Sequence, residues 1–329
     1  MKENRDDKVL SIVVTFCDQD KYIEQTLESL LRLFTLKFTY KFEFVVGLDK
    51  PSNQAKILAN KLQSPFIRFF FLNSKENLIP FSRASENRKY LLEQAVGTYA
   101  MILDGDDYYI DVPQEAIEIL EKRKEISAVQ YNYKVLNEKK KEVVDNPSPF
   151  SNKEEVTLQR YIYSGKYFHL HCSVFRRNES LTLNESLYFN DGTLQQFLLT
   201  KGKFLFLTKN IMMYRVGIAS IYASQVDALK KLQNSIMYEE LYRTILEGKE
   251  NRRLAFIKYN AFVRWIKISD LKWESNKPIP DFYYYQIKKR GLNYSRFLLL
   301  LCSLKNEKVK KTLLFVFKMY LKMKLKIAF

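Results

Sequence analysis

The sequence predicts an α/β protein, in which a mostly parallel sheet flanked by helices is followed by a helical, basic C-terminal extension. Apolar runs of strand length alternate with stretches of helical periodicity through the first half of the chain. Several of these runs end in acidic or amide residues, which is typical of the edge of an open α/β sheet where ligands bind. The excess of positive charge falls after residue 220.

Four apolar segments have the length and the bulky composition of buried strands. Between them, apolar side chains recur at helical spacing, as Ile23, Leu27 and Leu30 do after the first segment. Because helical crossovers join parallel strands, the four segments are predicted to form a doubly wound parallel sheet. The predicted strands are residues 9–16, 42–49, 67–72 and 99–103, and the predicted helices are residues 22–34, 54–62 and 82–97.

The second half of the chain is predicted from three patterns. Residues 137–155 are charged and contain prolines, so they are predicted to form a loop or linker. Residues 166–175 alternate between apolar and polar side chains, which predicts a strand. After Tyr222 the pattern is mostly helical. The predicted domains are residues 1–222, with halves at 1–112 and 113–222, and residues 223–329.

Composition excludes several classes of protein. With 329 residues, 47% of them hydrophobic and 15% aromatic, the chain can bury a large core and is not disordered. Its three cysteines are far apart and include no CxxC pair, so neither a disulfide framework nor a zinc site is predicted, and a reducing compartment is expected. The charged N-terminus lacks the apolar core of a signal peptide, and no apolar stretch approaches the ~20 residues of a membrane span.

The net charge of +17 is distributed unevenly along the chain. Residues 1–220 hold 31 Lys and Arg against 28 Asp and Glu, whereas residues 221–329 hold 23 against 9. This asymmetry predicts a nearly neutral catalytic or binding domain, followed by a basic region that meets an anionic partner.

The segment YAMILDGDDYY, residues 99–109, is an apolar run that ends in three carboxylates around a glycine. Three acidic groups at one strand end repel one another unless a cation or a set of donors compensates them. Asp-Gly is also ordinary turn chemistry. The residues alone therefore leave two interpretations open, a solvated turn and a metal site.

Three segments together resemble the nucleotide-sugar half of a family 2 glycosyltransferase of the GT-A fold. They are VLSIVVTFCDQDKYIEQTLESLL, FEFVVGLD and NLIPFSRASENRKYLLEQAVGTYAMILDGDDYY. The resemblance is close over residues 8–112 and weaker up to about 220. It implies that Asp104-Gly105-Asp106 is a DXD motif, in which Asp104 and Asp106 hold Mn²⁺ or Mg²⁺ against the donor diphosphate. Oxygen ligands suit both cations, which share coordination with phosphate oxygens.

The resemblance also implies a set of donor-binding residues. Asp49 is similar to the aspartate that hydrogen-bonds the nucleotide base, and Thr15 and Phe16 lie where the end of the first strand packs around that base. Asn87 matches a family position on the helix before the metal strand. A phosphate contact is predicted for Arg215. Arg83, one turn before Asn87, is predicted either to contact phosphate or to be a solvated helix arginine.

The segment YFNDGTLQQFLLTKGKFLFL, residues 188–207, resembles the family segment in which an acidic pair opens a helix. The second acid is the expected catalytic base, which is Asp191 here, and the first is replaced by Asn190. A carboxylate at a helix start is also a plain N-cap, and this interpretation stays open. Since an ordinary Asp, with a pKa near ~3.9, is a weak base at neutral pH, Asp191 requires partial burial or must act late in the reaction.

The chain has two histidines, His169 and His171, which alternation places on one face of the predicted strand. No third metal ligand is evident beside them. They are predicted either to line the acceptor pocket or simply to face a polar cleft.

The end of the chain, residues 304–329, holds eight lysines and one acid. A helix here gathers lysines on one side and apolar side chains on the other, which is typical of an interfacial helix on an anionic bilayer. The alternative is a helix that packs on the catalytic domain with its lysines in water. No nucleic-acid-binding module is visible, so no nucleic acid partner is expected. The lysines are Lys311, Lys318, Lys322 and Lys326, and the apolar residues are Leu313, Val316, Phe317, Tyr320, Met323 and Ile327.

Together these patterns predict an inverting, metal-dependent glycosyltransferase that uses a nucleoside-diphosphate sugar, with a UDP-sugar as the expected donor. The expected acceptor is a hydroxyl of a surface glycan or a lipid-linked oligosaccharide, and the expected location is cytoplasmic, peripheral on the inner face of the cell membrane. Two alternatives stay open. One is a nucleotidyltransferase that uses the same carboxylates, and the other is a catalytically silent, membrane- or nucleic-acid-associated binding protein.

Overall fold

The structure is a computed structural model that describes residues 9–17, 20–74, 80–166, 168–183, 191–217, 226–273 and 278–327. The chain divides into two compact units. Unit 1 comprises Met1–Tyr161 and Gly165–Ile218, and unit 2 comprises Ile162–Ser164 and Ala219–Phe329.

Unit 1 is built on one mixed sheet with the strand order β3-β2-β1-β4-β9-β6-β10-β5. The first four strands of this order are parallel, β9 runs antiparallel to both of its neighbours, and β6 and β10 are again parallel. The strands are β1 (Val9–Cys17), β2 (Lys41–Asp49), β3 (Ile67–Leu72), β4 (Tyr99–Asp104), β5 (Tyr108–Tyr109), β6 (Ile126–Asn137), β7 (Glu142–Asp145), β8 (Glu155–Val156), β9 (Ser173–Arg176) and β10 (Lys203–Val216).

Helices cover the sheet and bury its apolar strands. In α1, Ile23, Leu27 and Leu30 recur at helical spacing and are buried in the same core as the apolar side chains of β1 and β2. The helices before residue 202 are α1 (Ile23–Leu33), α2 (Asn53–Leu62), α3 (Pro80–Gln94), α4 (Gln114–Lys122), α5 (Leu158–Ser164), α6 (Arg177–Leu181) and α7 (Asp191–Lys201). The predicted fold class, a mostly parallel sheet flanked by helices, is confirmed.

Two predictions about the second half were wrong. Residues 137–155, predicted as a loop or linker, contain β7 and the first residue of β8, and β7 pairs with the end of β6. The side chains of β7 are exposed, so charged residues are tolerated there in an extended strand. Residues 166–175, predicted as one strand, form a 3₁₀ turn at Leu170–Cys172 before β9. Two backbone carbonyls of this segment accept hydrogen bonds from side chains and not from a neighbouring strand. Gln130 donates to His169 O and Tyr109 donates to His171 O, both at 3.0 Å.

Unit 2 is helical in the residues that the structure describes, as predicted for the region after Tyr222. Its longer helices are α8 (Asp227–Glu240), α9 (Lys249–Trp265), α10 (Asp281–Lys289), α11 (Asn293–Ser303) and α12 (Glu307–Ile327), and a π-helical segment at Leu241–Ile245 follows α8. The buried carboxylate of Glu239 accepts hydrogen bonds from the backbone N–H groups of Tyr294 and Ser295 and so caps the start of α11. Among the described helices, none combines the length and the apolar character needed to cross a membrane.

The last helix, α12, packs on α9 and α11 through a face different from the predicted apolar face. The buried side chains are Lys310, Leu314, Phe317 and Leu321. Lys310 is only 3% exposed, and its Nζ donates to the carbonyl of Leu271 at 3.1 Å. Of the predicted apolar face, only Phe317 is buried, and Val316, Tyr320, Met323 and Ile327 are exposed. The helix therefore packs within unit 2 and still exposes most of its predicted apolar face.

Candidate active site

The site lies at the carboxyl ends of the parallel strands of unit 1. The parallel register pairs Thr15 of β1 with Asp104 of β4, and Cys17 of β1 with Asp49 of β2. Three strand ends are thus neighbours at one edge of the sheet, where open α/β folds bind ligands. Thr15 Oγ1 lies 3.4 Å from Asp104 Oδ1 and donates to it.

The segment after β4 is a tight turn fixed by its neighbours. The N–H of Gly105 donates to Thr15 O at 2.9 Å, and the N–H of Asp107 donates to Asp104 O at 3.0 Å. Thr26 of α1 donates to the carbonyl of Gly105 at 2.9 Å. A Cβ on Gly105 would lie 2.2 Å from Cδ1 of Phe16, so only glycine fits without movement. Phe16 is 1% exposed and packs beneath this turn, and its predicted contact with a nucleotide base stays a prediction.

The three carboxylates of the turn have different environments. The Asp104 side chain is 36% exposed, whereas Asp107 is 1% exposed and accepts from the backbone N–H of Arg215 at 2.8 Å. Burial and the charge of Asp104 raise the pKa of Asp106 to about 6. Burial and the charge of Asp106 raise the pKa of Asp107 well above its usual range. Crowded carboxylates of this kind are the donor set that a hard divalent cation relieves, so Asp104 and Asp106 fit Mn²⁺ or Mg²⁺.

Arg88 of α3 joins two of the predicted site residues, although the sequence analysis did not identify it. Its Nη2 lies 2.8 Å from Asp104 Oδ1, and its Nη1 lies 2.8 Å from Asp191 Oδ1. The arginine side chain is 6% exposed. The predicted metal ligand and the predicted base are therefore held to opposite ends of a single guanidinium group.

His171 lies beside the same two carboxylates. Its Nε2 is 3.3 Å from Asp191 Oδ2 and 3.5 Å from Asp104 Oδ2, and its side chain is 3% exposed. Burial alone would lower the pKa of His171, but the charges of Asp104 and Asp191 raise it to about 9.

His169 lies next to His171 on the side of Tyr214. The two imidazole centroids are 6.1 Å apart, and the centroid of His169 is 4.3 Å from that of Tyr214. Among the described residues, His169, His171 and Asp191 form a group whose possible metal-ligand atoms all lie within 4.8 Å. The predicted acceptor role of both histidines stays a prediction.

Asp191 is the first residue of α7, and its side chain is 19% exposed. Burial alone would raise the pKa of Asp191, but the charges of His171 and Arg88 hold it well below its usual range. Burial therefore does not make Asp191 a stronger base, because the charges of His171 and Arg88 outweigh its effect, and the other expectation, that Asp191 acts late in the reaction, stays a prediction. Asn190, the other residue of the predicted pair, lies outside the described residues.

The predicted nucleotide end of the site is formed by buried polar groups. Asp49 is 2% exposed, its Oδ1 accepts from the N–H of Ser74 at 3.1 Å, and its Oδ2 lies 3.4 Å from Arg83 Nη1. Asn87 accepts from Ser74 Oγ at 3.2 Å and donates to Cys17 Sγ at 3.7 Å. The structure thus brings Asp49, Arg83 and Asn87 together, and their predicted contacts with the donor stay predictions.

Arg215 of β10 lies on the far side of the acidic turn. Its Nε donates to the carbonyl of Asp106 at 2.7 Å, its Nη2 donates to Gln25 Oε1 at 2.6 Å, and its Nη1 contacts Glu138. The guanidinium carbon is 4.4 Å from the ring centroid of Tyr22. Arg215 therefore fastens the turn, and its predicted phosphate contact stays a prediction.

A signal for Arg88 was present in the sequence. Carboxylates predicted at one strand end require a compensating cation, and α3 leads directly into that strand. Arg88 follows Asn87, which was already assigned to the site. Its second partner, Asp191, is 103 residues away, and no local pattern connects them.

Comparison with known proteins identifies the family of the chain. The model of glycosyl transferase family 2 matches residues 11–182, more than half of the chain. The chain therefore belongs to glycosyl transferase family 2. No curated protein sequence matches it.

Solved structures of S. aureus TarS share the fold. The TarS 1–349 structure in complex with UDP-GlcNAc has 16% sequence identity and a TM-score of 0.54, over 89% of this chain and 90% of that one. The complex of TarS 1–349 with UDP has 18% identity and a TM-score of 0.55, over 93% and 90%. A longer TarS structure has 18% identity and a TM-score of 0.54, over 88% of this chain and 53% of that one. The protein thus spans about half the length of that TarS chain.

Proposed function

We propose that the protein is an inverting glycosyltransferase that moves a sugar from a nucleoside diphosphate to a hydroxyl group of a surface glycan or a lipid-linked oligosaccharide. UDP-GlcNAc is the first donor to test, because TarS of the same fold binds it. The observation that carries the proposal is the pairing of Asp104 and Asp191 through Arg88, which brings a donor-site carboxylate beside a possible base.

Asp104 and Asp106 would hold Mn²⁺ or Mg²⁺ in this proposal. When bound, the cation neutralises charge on the departing diphosphate. Asp49, Arg83 and Asn87, with Thr15 and Phe16 at the end of β1, would bind and orient the nucleotide. Arg215 holds the acidic turn in place through the carbonyl of Asp106.

Asp191 would accept the proton of the acceptor hydroxyl. The acceptor oxygen forms a bond to the anomeric carbon as the bond from that carbon to the diphosphate breaks, so the configuration inverts. Because the pKa of Asp191 lies well below its usual range, the carboxylate is ionised at any physiological pH. A base this weak takes the proton late, when the attacking oxygen has become strongly acidic.

The first test is thermal stabilisation of the purified protein by a panel of nucleoside diphosphates, with and without Mn²⁺. We expect a metal-dependent shift with UDP that is lost in the variant Asp104→Ala/Asp106→Ala. Asp191→Asn is expected to lower transfer at least 1,000-fold and to retain the shift. Asp111→Asn is the matched control, since that carboxylate pairs with Lys209 at 2.9 Å outside the site.

The same measurements discriminate the alternatives. A nucleotidyltransferase releases pyrophosphate from a nucleoside triphosphate, whereas a glycosyltransferase with a donor alone slowly hydrolyses it to free sugar and diphosphate. A silent binding protein does neither. Nearly normal transfer by Asp191→Asn would contradict the assignment of the base.

We also propose that the protein binds the inner face of the cell membrane through α12. The apolar row of α12 comprises Val316, Tyr320, Met323 and Ile327, spaced so that they share one face of the helix. Their exposed fractions run from 41% for Tyr320 to 84% for Ile327. At about 100° per residue, Lys322 and Lys326 lie along one side of this row and Lys324 along the other.

An anionic lipid surface matches this combination of apolar and basic groups. Apolar side chains of an interfacial helix enter the acyl boundary, while the flanking lysines meet lipid phosphates. Each lysine near such a surface contributes about 1 kcal/mol. Trp265, at the end of α9, is 80% exposed in the same unit.

Co-sedimentation with vesicles tests the membrane proposal. We expect binding to phosphatidylglycerol-containing vesicles and at least tenfold weaker binding to pure phosphatidylcholine. Val316→Glu/Met323→Glu and Lys322→Glu/Lys326→Glu are each expected to reduce binding at least tenfold, with donor hydrolysis unchanged. Ile57→Glu/Val143→Glu is the matched control, because these apolar residues are 70% and 50% exposed in unit 1.

Two outcomes would contradict it. Vesicle binding that is retained in Val316→Glu/Met323→Glu would mean that the lysines bind the vesicles without the apolar row. Attraction of that kind would fit a nucleic acid partner equally well. A dimer in light scattering that these substitutions convert to a monomer would assign the apolar row to a second copy of the chain.

A further inference from the structure

Two buried side chains, Arg88 and His171, lie between the same pair of carboxylates and face different oxygens. Arg88 contacts Asp104 Oδ1 and Asp191 Oδ1, and His171 lies beside Asp104 Oδ2 and Asp191 Oδ2. The four side chains therefore form a closed ring, which we call the charge ring. Its four members come from four different elements, which are α3, the end of β4, the 3₁₀ turn before β9 and the start of α7.

Arg88 and His171 are the more deeply buried members of the charge ring. The side chains of Arg88 and His171 are 6% and 3% exposed, against 36% for Asp104 and 19% for Asp191. Tyr109, itself 1% exposed, donates to the carbonyls of His171 and Ile102 and so ties the histidine backbone to β4. The two carboxylates are thus more exposed to solvent, while the side chains that hold them are enclosed by the fold.

Without the guanidinium group of Arg88, the carboxylates of Asp104 and Asp191 would repel each other. Separation of the two carboxylates would change the distance between the diphosphate at Asp104 and the acceptor hydroxyl at Asp191. Transfer depends on that alignment, and a displacement of about 1 Å costs roughly 100-fold in rate.

We propose that Arg88 and His171 are positioning residues that fix the distance between the donor-site carboxylate Asp104 and the base Asp191. This inference rests on the proposed function, because it assigns Asp191 as the base. It concerns the alignment of the two substrates and predicts an effect on kcat, with donor binding preserved.

Arg88→Lys is the direct test, because a compact ammonium retains the charge but cannot place parallel donors on two carboxylates. We expect kcat for transfer to fall about 100-fold, while the calorimetric Kd for UDP in the presence of Mn²⁺ changes less than threefold. Arg176→Lys is the matched control. That arginine donates to the backbone carbonyl of Ile126 at 2.6 Å in the same unit, and its loss is expected to lower stability with kcat unchanged.

His171→Asn tests the other side of the charge ring and remains informative if Arg88→Lys does not fold. We expect a fall of roughly tenfold in kcat, again with the Kd for UDP and Mn²⁺ preserved. Because members of one network are not additive, the double variant is expected to resemble Arg88→Lys alone.

Three outcomes would overturn the inference. They are a kcat within threefold of the parent in folded Arg88→Lys, a Kd for UDP that weakens in proportion to kcat, and fully additive effects in the double variant. Failure of the proposed function is distinguishable, since the parent protein would then show no transfer with any nucleotide sugar. A wrong assignment of the base would instead leave Asp191→Asn active. If Asp191→Asn is inactive and Arg88→Lys is fully active, only the positioning role is overturned.

Discussion

The two units use charge in opposite ways. In the candidate site of unit 1, charged side chains are enclosed and paired, and Arg88 with two carboxylates at 2.8 Å is the clearest example. In unit 2, the charges of α12 lie mostly on its surface, where seven lysines accompany one glutamate. Residues 1–220 are almost balanced in charge, whereas residues 221–329 hold 23 basic groups against 9 acidic ones.

The difference between the units indicates that enclosed ion pairs and exposed charges of one sign suit ligands of different size. Enclosed ion pairs fix distances between a few atoms, because charged groups buried together require close and specific partners. Exposed charges contribute little as single pairs, but many of the same sign act together on an extended anionic surface. A small charged donor therefore suits the first arrangement, and a membrane suits the second.

The largest effect that separates the units is expected for Gly105→Ala. The added Cβ would lie 2.2 Å from Cδ1 of the buried Phe16, so the turn that carries Asp104 and Asp106 must move. We expect kcat/KM for transfer to fall about 100-fold, with vesicle binding unchanged. Phe16→Leu makes room for the Cβ and is expected to restore part of the rate in the double variant. An unchanged rate for Gly105→Ala would show that the turn tolerates displacement.

A smaller effect is expected for Glu239→Gln in unit 2. The carboxylate of Glu239 accepts from two backbone N–H groups at 3.0 and 2.6 Å, and an amide nitrogen would leave one of them without an acceptor. We expect a loss of about 2 kcal/mol in the free energy of unfolding, measured by urea denaturation. Glu247→Gln, at an exposed position of the same unit, is the control. A parallel fall in kcat at 25 °C would contradict the expectation that this substitution in unit 2 changes stability and not activity.

The smallest effect concerns pH. Asp191 stays ionised as the pH falls, because His171 and Arg88 hold its pKa well below the usual range. The pKa of Asp106 is about 6, and protonation of this carboxyl removes a metal ligand. We therefore expect kcat/KM to fall severalfold as the pH decreases through about 6, and excess Mn²⁺ to move this limb to lower pH. If excess Mn²⁺ does not move the acidic limb of the pH profile, the limb reports the protonation of a group other than Asp106.

Much of the sheet was predictable because its signals are local. The four apolar segments became β1 to β4, and the acidic turn and Asp49 lie at strand ends as predicted. The pairing of β7 with β6 was missed, since composition at 137–155 reflects exposure and says little about pairing between strands. Arg88 was missed because its carboxylate partners are 16 and 103 residues away.

The last helix, α12, also shows a feature that the sequence could not predict, namely which of its faces packs. The sequence of α12 offers apolar side chains on more than one face, so periodicity alone does not select the face that packs. Contacts with α9 and α11 bury Leu314, Phe317 and Leu321 and leave Val316, Met323 and Ile327 exposed. Helical structure was predictable here, but the orientation of the helix was not.

The sequence by itself determined the alternation of strands and helices, the carboxylates at the strand ends and the basic character of unit 2. Those properties depend on neighbouring residues, through side-chain periodicity and local composition. The tertiary structure alone decided that Arg88 and His171 bridge Asp104 and Asp191, and which face of α12 remains open. Such pairings arise when elements distant in the chain share one enclosed volume, where burial and opposite charge outweigh local preference.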